Sequence, residues 1–146
     1  DRRLAESHAL ANVASHTLAV VPLADGIEAV VVLDPVRSTL SGYVLDRSTG
    51  NFFVRYSYGQ LLRDFELTTN DAPQFTIVGG SPTFRGFTGN VRLANAAIYV
   101  AEKKSGKLAA YGFKWNTTYR ANPPQGRQLP FVPLDAANFR FPAPGR

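Results

Sequence analysis

The chain has 146 residues, 45% hydrophobic and 18% charged, a globular composition with enough apolar material for one packed domain. No apolar run approaches the roughly 18 residues of a membrane-spanning helix; the longest, Ile27 to Leu33, is broken by Glu28 and closed by Asp34. The absence of cysteine excludes disulfides, thiolate catalysis and cysteine-ligated zinc, and the net charge of +5 comes from basic residues scattered along the chain, so nucleic acid is not an expected partner.

Residues 1–16 predict a short helix or arm, with Leu4, His8 and Ala11 on one helical stripe. Methionine is absent and the chain opens on Asp1, which reads as a processed chain or a fragment of a longer one; removal of a signal peptide would explain it, and the expected setting is outside the cell or at its surface, the periplasm included. From Thr17 the pattern changes. Short apolar runs of five to eight residues (TLAVV, EAVVVLD, LSGYVLD, NFFVRYSY) alternate with Gly, Asp, Asn and Pro turns, the grammar of antiparallel strands. Gln60 to Leu67 predicts one helical turn or an irregular crossing. Strand grammar restarts at Phe75 (FTIVG) and, after a loop from Ser81 to Asn90, continues as the hairpin AAIYVAE–KKSG–KLAAYGFKW. Six of the ten prolines lie between Pro123 and Pro144, so residues 121–146 predict an extended arm. That arm keeps apolar anchors at Leu129, Phe131, Val132, Leu134, Phe139 and Phe141, which suit it to lie on a surface, its own or a neighbour's.

The two hairpins repeat one another. A slide of 68 positions sets Ala29 on Ala97, Val32 on Val100, Leu40 on Leu108, Tyr43 on Tyr111 and Asp34 on Glu102. The expectation is an all-β domain over 17–120 made of two blade-like units, 17–59 and 75–119. The stretch IYVAEKKSGKLAAYGF resembles the strand-turn-strand of YVTN-type β-propeller repeats, and VVVLDPVRSTLSGYVLDRSTG is similar to a divergent copy of it. The chain also resembles short secreted bacterial proteins of unassigned role. The first resemblance covers about a third of the chain and implies propeller-like blades, yet two units cannot close a ring that takes four to eight. Either several chains complete a ring, or each donates an arm to the next sheet and builds a filament. A self-contained sandwich or barrel is the alternative architecture.

Few residues read as chemistry. His8 and His16 have no accompanying metal-ligand pattern. Asp34 and Glu102 could form a carboxylate pair, but acids at strand ends ordinarily accept turn amides. No serine stands in a nucleophile elbow, since Pro82 follows Ser81, and no glycine pattern cradles phosphate. The chain is therefore read as non-enzymatic and without cofactor or metal. Aromatic residues in loops and at strand ends are the stronger signal: Phe84, Arg85, Phe87, Trp115 and Tyr119, with Leu129, Phe131, Phe139 and Phe141 of the arm, are candidates for an interface or a ligand contact. The leading functional expectation is a self-assembling extracellular structural subunit, a filament or propeller-like homo-oligomer whose partner is itself. The alternative is a secreted carbohydrate-binding module whose partners are glycans.

Overall fold

A computed structural model describes residues 17–85, 92–124 and 126–140. The predicted helix or arm over 1–16, with both histidines, lies outside the described residues, as do Phe87 and Phe141. The all-β expectation is met. Eight strands form one sheet: β1 (Thr17–Ala24), β2 (Ile27–Asp34), β3 (Thr39–Leu45), β4 (Phe52–Tyr58), β5 (Phe75–Gly80), β6 (Leu93–Glu102), β7 (Lys107–Lys114) and β8 (Leu129–Asn138). A single helical turn, α1 (Leu61–Asp64), follows β4. The order across the sheet is β1-β2-β3-β4-β8-β7-β6-β5.

That order is two antiparallel meanders, β1–β4 and β5–β8, joined edge to edge where β4 runs parallel to β8. The 68-residue offset carries the end of β2 onto the end of β6 and β3 onto β7, so strand follows strand, but the matched residues fall on opposite faces: Leu40 is buried and Leu108 38% exposed, Tyr43 half-buried and Tyr111 buried. The two units share one sheet rather than forming two open ones. The sheet bends until β1 packs against β5 and β6, which leaves it nearly closed into a barrel.

The proline-rich segment is extended, as expected, but it does not lie on a surface. Residues 129–138 are β8, inserted between β4 and β7, and supply the second meander with its fourth strand. Its prolines fall where a ladder tolerates a missing donor: Pro130 at the end of the short pairing with β4, Pro133 beside the irregularity between Ala110 and Tyr111. Phe131 is 1% exposed and packs on Tyr56 and Phe113, with ring centroids 5.6 and 5.2 Å away.

Alternation decides which face is inside. Ala19, Val21 and Leu23 of β1, Ala29, Val31 and Leu33 of β2, and Ala109, Tyr111 and Phe113 of β7 point into one core. Leu61 and Phe65 plug it after β4, Phe65 meeting Phe75 edge-on at 5.2 Å. Asp64 Oδ2 there accepts the hydroxyls of Tyr58 and Tyr111. Burial, then hydrogen bonding to the Asp64 carboxylate, raises both phenols, Tyr58 to about 12 and Tyr111 further.

Candidate functional site

The seam of the barrel is built on Gly79. A β-carbon there would stand 2.7 Å from the Val20 carbonyl oxygen and 2.8 Å from Val21 Cγ2, so only glycine lets β5 come this close to β1. The two strands touch without a hydrogen-bonded ladder between them.

On the outside of this seam β1, β5 and β6 carry no charge, and β7 carries only Lys114, at its far end. The outward positions are Leu18, Val20, Pro22 and Ala24 on β1, and Thr76, Val78 and Gly80 on β5. Asn95, Ala97, Tyr99 and Ala101 on β6 and Leu108, Ala110 and Gly112 on β7 continue the face. Leu18, Val20 and Val78 are 60%, 54% and 61% exposed. Val20 lies beside Val30 of β2, and Leu18 beside Val32, so the apolar surface extends onto a fifth strand before Glu28 and Asp34 bound it. Five strands about 4.8 Å apart and roughly 20 Å long span about 450–500 Å², of which the part over Ala97 and Gly112 is covered, since both are buried; the remainder is of the size soluble monomers leave to water.

Those residues singled out in the sequence that are described fall elsewhere. Trp115 is 8% exposed and belongs to the core, edge-on to Phe53 and Tyr119, and so cannot serve as an exposed sugar platform. Phe131 is likewise core. Tyr119, Leu129 and Phe84 are half-buried; the Phe84 amide donates to Asn95 Oδ1, and Arg85 is exposed next to it. Phe139, half exposed at the end of β8, lies beside the guanidinium of Arg140, whose carbon is 5.9 Å from the ring centre. The seven described candidates do not converge on one site.

The strand-end acids serve turns, as expected. Asp34 Oδ1 accepts the amides of Val36 and Arg37. Glu102, fully buried, accepts the Gln74 amide through Oε2 and the Ser105 amide through Oε1. Burial pushes its carboxyl up, but the backbone amides of Gln74, Ser105 and Lys104 outweigh that and hold it below the ordinary carboxylate value. Among the described residues no three His, Asp or Glu side chains cluster as a metal site would require.

The outer face escaped notice in the sequence because each of its residues is unremarkable alone. Its signal was a negative one, the absence of Lys, Arg, Asp and Glu from the outward positions of β1, β5 and β6 and from all but the last of β7, Lys114. No protein-family model, curated protein or solved structure matches this chain.

Proposed function

We propose that the protein works as a self-associating β subunit, copies meeting through the largely apolar outer face of β1, β5, β6 and β7. The supporting observation is that face itself: Leu18, Val20 and Val78 are more than half exposed on strands β1 and β5 whose outward positions carry no charge, and the nearest strand charge on the face is Lys114 at the far end of β7. A second copy is the occupant that suits it. The chain has a net charge of +5, so copies repel unless they meet where charge is absent. Pairing two such faces would bury no more than roughly 900–1,000 Å², below a standard interface, and so gives weak, concentration-dependent association. A setting outside the cell or at its surface, and the growth of such contacts into a ring or filament, belong to the same proposal. β8 is engaged within its own sheet, so face-to-face contact replaces arm donation as the means of assembly.

Sedimentation velocity over a dilution series tests this. The wild-type mass should rise above 15.9 kDa with concentration, and Val78→Lys and Leu18→Lys should return it to the monomer. A monomer at every concentration, or association indifferent to both lysines, would refute the proposal.

A further inference from the structure

A second surface, remote from the seam, has a different chemistry. The parallel pairing of β4 with β8 begins at Tyr56 and Leu129. Because the two strands run the same way, the residues before each leave the same end of the sheet side by side. Phe52, Phe53 and Arg55 thereby face Pro123, Pro124 and Arg127 across an open cleft of about 560 Å³.

We propose that this cleft binds an acidic sugar unit of a polysaccharide, through a carboxylate or sulfate held by Arg55 and Arg127. Neither guanidinium has an ion-pair partner among the described residues, whose ion pairs are Arg63–Asp64 and Lys107–Glu66. Arginine offers planar forks of N–H donors that match a carboxylate or sulfate edge, so two of them on one cleft are a ready anion site. Arg55 is already placed: its guanidinium carbon lies 5.6 Å from the centre of the Tyr43 ring. Tyr43 in turn packs on Phe52 at 5.7 Å, and Phe52 leaves 52% of its surface to solvent, an aromatic face on which the apolar side of a sugar ring can stack. Pro123 and Pro124 stiffen the opposite wall, which lowers the entropy lost on binding. Among the described residues no carboxylate lines the cleft, which suits it to binding an anion. Two guanidiniums on one cleft also fall well short of the roughly 6–10 phosphate contacts typical of a nucleic-acid surface. The cleft shares no lining residue with the outer face of β1, β5, β6 and β7, so its test does not depend on self-association.

The test is titration of the full chain with four probes: polygalacturonate, heparin, uncharged dextran and a thymidine oligonucleotide. Polygalacturonate or heparin should bind and dextran should not, the preferred one identifying carboxylate or sulfate. Arg127→Gln, in an exposed loop, should weaken binding about tenfold, and Arg55→Gln and Phe52→Ala by a similar factor. Arg37→Gln, an exposed arginine outside the cleft, should change it less than twofold. Binding of neither acidic polymer would overturn the proposal. So would an equal loss from Arg37→Gln, which would mean diffuse charge attraction, or tightest binding of the oligonucleotide.

Discussion

Phe131→Ala isolates the claim that the proline-rich segment is part of the core. The ring is 1% exposed, so its burial is worth about 1.5–3 kcal/mol. Its two aromatic neighbours, Tyr56 and Phe113, add about 0.5–1.5 kcal/mol each. The hole left behind would not close readily. The ring tip sits over Gly42, 3.1 Å from where a β-carbon would be, and glycine has no side chain to move into the space. The sum is about 4 kcal/mol, within the range of large-to-small core substitutions and a large share of the roughly 5–15 kcal/mol that holds a domain folded. Urea unfolding monitored by the single tryptophan, Trp115, which is itself buried, measures it directly. Phe139→Ala, on a half-exposed ring at the strand's far end, should cost less than about 1 kcal/mol. Equal and small losses from the two substitutions would mean that the segment lies on the surface and that β8 is misplaced.

Two further outcomes follow from the seam and from the buried acid. Gly79→Ala should destabilise by about 1–3 kcal/mol, since the new methyl meets the Val20 backbone and one strand must shift; Gly59→Ala, with open space around it, should be near neutral in the same urea unfolding assay. Glu102→Gln should cost about 1–3 kcal/mol at neutral pH, because an NH₂ group then faces one of two amides that both donate to the carboxylate. The folded carboxyl titrates below its unfolded value of 4.5, so its contribution is complete above that pH and is lost as pH falls through the folded value. The gap between wild type and variant should therefore narrow in acid, and a gap independent of pH would show that the carboxylate is not what the turn holds.

The strands were legible because their physics is local. Ile27 to Asp34 sets buried positions between more exposed ones, as a strand must, and a second strand lies 68 residues later, but with the phase reversed: Ile27 is buried where Asn95 is exposed, and Asp34 is half-buried where Glu102 is fully buried. What local pattern could not reveal was partnership. Nothing in Leu129 to Asn138 says that it pairs with Phe52–Tyr58 and Lys107–Lys114 at once, and Pro130 and Pro133 disguise it, because their places in the ladder are defined only after the partners are known. Trp115 was misjudged for a narrower reason. It follows β7 and looks like a loop aromatic, yet it continues the inward series Ala109, Tyr111, Phe113, and that parity was already in the sequence. The arginine cleft was beyond reach, since Arg55 and Arg127 are 72 positions apart and meet only through the parallel β4–β8 pairing.

That pairing also sets a timetable for biosynthesis. β8 is the last of the eight strands to leave the ribosome, although it sits at the middle of the sheet. β1 to β4 can zip as successive hairpins while translation proceeds, but β4 then waits for the roughly 70 residues between Tyr58 and Leu129. At about 5–20 residues per second that is a delay of roughly 4–14 s. During it an edge strand presenting Val54 and Tyr56 is bare in a crowded compartment, open to pairing with the same strand of a neighbouring nascent chain. The yield of this protein in a foreign host is thus expected to hinge less on final stability than on how long that edge stands open, and slowing translation downstream of Tyr58 should push more of it into aggregates.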